Sequence, residues 1–252
     1  MSNLIPLQQI KKSQKILIKN LKKRGFNNEY IEKQISFLYD EDAYFSRIRF
    51  LIPYLEKRDK ENLLISGSAV GLELLQASKH GFKNVIGTEV KEIYKEPSEI
   101  LLREKKIKTV IYDGESLPFK DNTFSCIQSC HIIEHTKNPK NYLKEHIRVL
   151  RSGGVLFIEF PDRYHSVELH TGTKSFERYP KFIRDIILTF LSLLPTTSAT
   201  DKKKYKDVRD TLSPISMKLI LKWLKSFNYQ TSLLAFESPH PGFIRLIIKI
   251  VK

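Results

Sequence analysis

Apolar residues over the first fifty or so positions recur at the three- and four-residue intervals of a helix face. In LQQIKKSQKILIKNLKKRG, Ile10, Leu17 and Leu21 fall near that spacing, and Gly25 suits a helix end. Asn27 or Asn28 can cap EYIEKQISFLYD, and Asp42 can cap AYFSRIRFLIPYLEK. Residues 7–57 are therefore expected to be helical. From residue 62 short apolar runs alternate with helical segments. NLLIS leads to a helix through Gln76, and NVIGTE to one near Pro97 to Lys105. KTVIYD follows, then FSCIQSC, a helix over Asn138 to Leu150, and GVLFIEF. Apolar strands separated by helices predict a parallel sheet covered on both faces. Beyond Pro161 the alternation gives way to irregular and helical character up to about Leu212. SPISMKLILKWLKSF then starts a helix, with Ser213 as cap and Pro214 at its first position. YQTSLLAF and GFIRLIIKIVK, joined by the turn ESPHPG, are expected to pair antiparallel. The expected organisation is a helical extension over 1–60 and one α/β domain over 61–252, with an insertion at about 162–212.

Composition narrows the class. With 41% hydrophobic and 28% charged residues, the chain has the balance of a soluble globular protein. No apolar run approaches the roughly 20 residues of a membrane span, and no signal-peptide pattern opens the chain, so a cytoplasmic location is expected. Cys126 and Cys130 lie in an apolar segment with no second pair nearby, which predicts reduced, buried thiols and no metal site. The net charge of +15 is uneven. Residues 1–60 hold 13 Lys/Arg against 7 Asp/Glu, residues 61–161 hold 14 against 13, and residues 162–252 hold 16 against 8. Basic flanks of this kind can attract nucleic acid, anionic lipid or a phosphorylated substrate, and a plain lysine-rich surface fits the charge equally well.

Candidate chemistry sits at the strand ends, because an open α/β sheet binds ligands beyond the carboxyl ends of its strands. After NLLIS comes the small-residue turn Gly67-Ser68-Ala69-Val70-Gly71, which lets backbone approach a ligand. NVIGTE ends in Glu89, about twenty residues beyond that turn, where a carboxylate can accept from both hydroxyls of a ribose. After KTVIYD, Asp113 and Glu115 are acceptors suited to an exocyclic amine.

The segment DGESLPFKDNTFSCI resembles the Asp-Ala-Glu-x-Leu-Pro-Phe-x-Asp-x-Ser-Phe-Asp segment of class I S-adenosylmethionine-dependent methyltransferases of the type 11 group. HIIEHTKNPKNYLKEHIRVLRSGGVLFIEFPD is similar to the next segment of that family, with its Glu-His pair, Arg-Val-Leu and Gly-Gly before a strand. The resemblance runs from about Leu63 to Asp162. It implies a Rossmann-like, seven-stranded, mostly parallel sheet with an antiparallel last strand, and S-adenosylmethionine as cofactor. It assigns the ribose to Glu89, the adenine region to Asp113, Gly114 and Glu115, and the methionine moiety to the neighbourhood of Gly67, Ser68 and Gly71. The chain departs from the pattern at Ile65, where the family has an acid, at Ala69, where it has a glycine, and at Ser125, where an Asp follows the Phe. Ala69 suits the turn only if its φ stays negative.

Methyl transfer to a hydroxyl benefits from a general base, and histidine has the matching pKa. His131 directly follows FSCIQSC, and His170 lies in the segment after GVLFIEF; the two compete for the role. His80, His146 and His240 are expected at the surface. Glu134-His135 reads as a local polar pair fixing the loop after the strand, with His135 a candidate substrate contact; a single carboxylate beside a histidine is a poor basis for a divalent-ion site. PDRYHSVELHTGTKSFERYPKFI is the expected cover of the acceptor, with Tyr164 and Glu168 as substrate-binding candidates. FIRDIILTFLSLLP, followed by DKKKYK, reads either as a helix packed over the pocket or as one resting on an anionic membrane. The expected activity is methylation, at oxygen, of a small-molecule, saccharide or lipid-linked saccharide acceptor, with peripheral membrane contact open. Two alternatives stand beside it. One is an RNA methyltransferase using the basic flanks, against which no RNA-binding module is recognisable, so a nucleic-acid partner is not expected. The other is a non-catalytic binding protein.

Overall fold

A computed structural model describes residues 7–103, 107–165, 176, 178–239 and 241–252. Three helices come first: α1 (Leu7–Lys23), α2 (Asn28–Leu38) and α3 (Glu41–Leu51). Helix α1 buries Leu17 and Leu21 and ends at Gly25, whose φ of 81° is left-handed. Asn27 caps α2 by accepting from the Tyr30 N–H at 2.9 Å. The cap of α3 is Asp40 rather than the expected Asp42. Its Oδ1 accepts the N–H groups of Asp42 and Ala43, each at 3.1 Å, so Asp42 is already inside the first turn. A 3₁₀ turn, Ile52–Tyr54, continues directly from α3 with Ile52 still in helical geometry, and the chain leaves it at the extended Leu55.

The alternating region follows the apolar pattern. In chain order it contains β1 (Asn62–Ser66), α4 (Leu72–Lys79), β2 (Asn84–Glu89), α5 (Lys95–Leu102), β3 (Lys108–Ile111), β4 (Phe124–Cys130), α6 (Pro139–Val149) and β5 (Leu150–Pro161). Helices α7 (Lys181–Leu193), α8 (Ala199–Thr211) and α9 (Met217–Ser226) precede β6 (Gln230–Glu237) and β7 (Phe243–Val251). The cap of α9 is Ser216, which accepts from the Leu219 N–H at 3.2 Å, not Ser213. The Ser213 N–H is committed elsewhere, to the Glu134 carbonyl at 2.7 Å.

One seven-stranded sheet runs β3-β2-β1-β4-β5-β7-β6. Strand β2 is parallel to both β1 and β3, and β6 pairs antiparallel with β7, with Gln230 opposite Val251 and Glu237 opposite Arg245. The last strand thus slots between β5 and β6, leaving β6 at the edge. Every residue of β4 is buried, as a strand covered on both faces requires. Ser125 has a structural job: its hydroxyl accepts the Asn62 N–H at 2.9 Å and lies 2.9 Å from the Asp59 carbonyl, stapling the start of β1.

By contacts the chain forms two compact units. One comprises Met1–Gln128 and Arg148–Val155, the other Ser129–Ile147 and Leu156–Lys252. Cys126 and Cys130 are free and buried, and burial pushes the Cys126 thiol pKa far up. His146 is not at the surface. It lies on the inner face of α6 at 1% exposure, with Nδ1 2.7 Å from the Tyr142 carbonyl, and burial lowers its pKa to about 4. His80 is half-buried, 5.4 Å from the Phe45 ring. His240 lies outside the described residues.

Candidate active site

The first unit carries the nucleotide-type turn. Gly67, Ala69 and Gly71 have φ of 69°, 43° and 87°, so three alternate positions are left-handed. Ala69 is therefore not in the negative-φ conformation expected of it, and its Cβ is strained. What holds it there is Glu89. Its Oε2 accepts the Ala69 N–H at 3.1 Å, while Oε1 accepts Val90 N–H at 2.8 Å and Lys91 N–H at 3.1 Å. The carboxylate is 7% exposed and sits at the carboxyl end of β2. A carboxylate has about four lone-pair directions, so three main-chain donors leave capacity for a ligand hydroxyl. The turn also closes on itself, with Ser68 N–H donating to the Thr88 carbonyl and Gly71 N–H to the Ser68 carbonyl.

Gly87 is a further requirement that sequence reading missed. A Cβ at this position of β2 would collide with the Ser68 side chain, so the turn lies across β2 only because residue 87 is glycine. On the next strand end, Asp113 Oδ1 accepts the N–H groups of Glu115 and Ser116 at 2.8 and 3.0 Å. Those bonds hold the exposed Asp113 carboxyl below its usual range. Gly114 takes φ 84° in the same turn, and Glu115 is exposed. Ile65 is buried in β1 and offers no acceptor. Another carboxylate, Glu73 in the first turn of α4, is buried in this unit. It accepts from the Gln128 side chain and has Arg47 Nη1 at 3.6 Å. The left-handed turn and the buried strand-end carboxylate fit the ribose and backbone contacts of a nucleoside cofactor.

The second unit carries the acceptor candidates. His131 follows β4 directly with φ 57°, and its N–H donates to the Glu159 carbonyl at 2.9 Å. Its ring is gripped on several sides. Nε2 lies 2.7 Å from Glu159 Oε1, Nδ1 lies 3.8 Å from Glu134 Oε1, and the ring meets Phe243 edge-on at 4.9 Å. A carboxylate on Nε2 places the proton there and leaves the Nδ1 lone pair as the basic position. Glu159 is itself buried and paired with the buried Arg245, whose Nη1 reaches Glu237 at 3.2 Å. Glu159 and Arg245 were missed in the sequence. Both lie in strands whose apolar runs hid them.

His135 is exposed, 4.0 Å from Glu134, so the Glu-His pair is a loose neighbour of His131 rather than a tight ion pair. A cleft of about 260 Å³ is lined by Asp162, Tyr164, His165, Phe236 and Phe243, among others. Asp162 is held in its lining, donating its N–H to the Gly242 carbonyl at 2.7 Å and accepting from Tyr164 N–H at 3.2 Å. The Arg163 guanidinium lies over the Tyr164 ring at 5.7 Å. His131 and this cleft share Phe243. Glu168 and His170 lie outside the described residues. Among the described residues no cluster of three or more metal-binding side chains occurs, and no helix is long and apolar enough to cross a membrane.

The sheet order and the strand-end acceptors are those of a Rossmann-like α/β domain. Residues 64–158 match the family model described as a methyltransferase domain, the type 11 group that the sequence motifs resemble. The cofactor of that family is S-adenosylmethionine. The chain is 39% identical over 72 residues to an uncharacterized protein of Methanocaldococcus jannaschii, covering 29% of this chain and 35% of that one. It is 27% identical over 121 residues to norajmaline N-methyltransferase of Rauvolfia serpentina, covering 44% and 40%. The matched region thus spans well under half the length of these curated relatives. Among solved structures, a SAM-dependent methyltransferase from Aquifex aeolicus superposes with a TM-score of 0.55 at 15% identity, covering 90% of this chain and 100% of that one.

Proposed function

We propose that the protein methylates a hydroxyl oxygen on a small molecule, saccharide or lipid-linked saccharide, with S-adenosylmethionine as donor. The observation that carries the acceptor side is His131, held through Nε2 by Glu159 at 2.7 Å. When bound, the cofactor supplies an electrophilic methyl group on a sulfonium. Glu89 would accept from one ribose hydroxyl, Asp113, Gly114 and Glu115 would line the adenine region, and the turn from Gly67 through Ser68 to Gly71 would face the methionine moiety. His131 Nδ1 takes the proton from the acceptor hydroxyl, and Glu159 stabilises the imidazolium that results. Arg245 balances the charge of Glu159. Tyr164, Phe236 and Phe243 offer aromatic faces to a ring, and His135 a polar contact at the margin.

In this reading residues 1–60 are an extension, residues about 162–212 cover the acceptor, and the enzyme works in the cytoplasm or at a membrane surface. His170 and Glu168 belong to the cover, with His170 the alternative base. Nitrogen is a second candidate atom, because the Rauvolfia relative is named as an N-methyltransferase and a protonated amine also needs a base.

The test starts with cofactor binding by calorimetry, followed by a screen of sugars, lipid-linked saccharides, phenols and amines as acceptors. His131→Ala should lower turnover by about 10²–10⁴-fold while leaving cofactor affinity nearly intact, and the wild-type rate should rise with pH through one ionisation. Normal turnover in both His131→Ala and His170→Ala would remove the base. Absence of cofactor binding would favour the non-catalytic alternative. Salt-resistant RNA binding with methyl transfer would favour RNA as acceptor.

A further inference from the structure

Helix α7 is built inside out. Its outer face carries Phe182, Ile186, Phe190 and Leu193, which are 67, 66, 63 and 73% exposed and recur at helical spacing. Its inner face buries Leu188 and, at 0% exposure, the charged Arg184. That guanidinium is anchored on Asp185 at 2.8 Å and on the Leu212 carbonyl at 2.9 Å. The inner face is fixed by α8, since Leu188 packs with Val208 and Leu212, and Arg209 Nη1 donates to the Thr189 hydroxyl at 3.0 Å. Rotating α7 to hide its apolar stripe would break these contacts. The stripe is therefore presented outward in the native fold. Four large apolar side chains in one exposed row form a contiguous patch of the kind that marks an interaction surface.

We propose that this face of α7 docks on an anionic lipid bilayer. Charge selects that occupant. Residues 178–211 hold eight Lys/Arg against four Asp/Glu, with Lys202, Lys203, Lys204 and Lys206 crowded near the start of α8. An apolar row on a helix pair with this basic excess matches the acyl boundary and the headgroup layer of an anionic surface. A second copy of the chain on the same row would carry the same basic excess and offer it no opposite charge. The docking surface goes beyond the proposed reaction and does not depend on the identity of the acceptor.

Sedimentation of the full chain with vesicles tests it. The protein should bind vesicles of phosphatidylcholine mixed with phosphatidylglycerol, lose that binding as salt is raised, and bind phosphatidylcholine alone far less. Ile186→Glu with Phe190→Glu should weaken vesicle binding by more than about tenfold, since burying one such side chain is worth at least that factor. The same pair should leave S-adenosylmethionine binding unchanged, which separates failure of docking from failure of the proposed reaction. With Trp223→Phe removing the native indole, Phe190→Trp should show a blue-shifted emission on anionic vesicles. No binding to anionic vesicles, or equal binding to both kinds, overturns the proposal. So does a concentration-dependent dimer in ultracentrifugation that the double substitution abolishes, because a second copy would then cover the row.

Discussion

Glu89 and Glu159 are both buried carboxylates placed by strands, yet they are held in opposite ways. Glu89 is fixed by three main-chain N–H groups from its own turn and from the Gly67–Gly71 loop. Glu159 is fixed by side chains, Arg245 on one oxygen and His131 on the other. A carboxylate held by backbone survives changes in nearby side chains. That is why the Gly67–Gly71 turn keeps its left-handed course with alanine at 69. A carboxylate held by two charged or titratable side chains depends on each of them. The cofactor region should thus be tolerant and the acceptor region brittle.

Breaking the Glu159–Arg245 pair tests that contrast most severely. Arg245→Met should cost about 3–5 kcal/mol of stability, the penalty for stranding one member of a buried ion pair. Adding Glu159→Met should recover much of it in denaturant titrations, while turnover stays lost because His131 has no orienting partner. Full activity in the double variant would show that the network is only structural.

His146 gives the acceptor unit a second electrostatic dependence. Its imidazole titrates near 6.5 when unfolded and at about 4 when buried. Between those values the unfolded chain binds more protons, so this contribution is complete above pH 6.5 and is lost as the pH falls toward 4. The full span is worth about 3 kcal/mol. His146→Phe should flatten that limb of the stability–pH curve; an unchanged slope would place the dependence in other groups.

On the cofactor side the expected effects are smaller and fall on affinity. Glu89→Ala should weaken S-adenosylmethionine binding by about 1.5–3 kcal/mol in calorimetry, with the fold retained. Unchanged affinity would remove Glu89 from the cofactor contacts. The smallest effect should come from Ala69→Gly. Relief of left-handed strain, about 1–2 kcal/mol, less glycine's extra entropy, leaves a gain of about 1 kcal/mol. A rise in Tm of a few degrees would report it. A drop would mean that the alanine methyl packs favourably despite its φ.

Much of this molecule was legible from residue order alone. Strand ends at Ser66, Glu89 and Cys130 follow from apolar runs that stop where polar or glycine residues begin, and local patterning suffices for that. The family resemblance of Asp113 to Ile127 and of His131 to Asp162 extended this to the sheet type and the cofactor. Caps were displaced by two or three residues, at Asp40 and Ser216, because several polar residues compete for each helix start and only the folded chain decides which N–H groups are spoken for. Tertiary structure alone revealed the partners of His131. Glu159 and Arg245 are distant in sequence, and one-dimensional patterning cannot show which buried charges meet across a sheet. It alone placed Ala69 at positive φ, since the Glu89 side chain that pins its N–H comes from the next strand. Nor could sequence choose between the two faces of α7. A helix with apolar residues on one side and an arginine on the other would ordinarily turn the apolar side inward. Here the carbonyl of Leu212 and the carboxylate of Asp185 satisfy Arg184, and the inward face is the charged one.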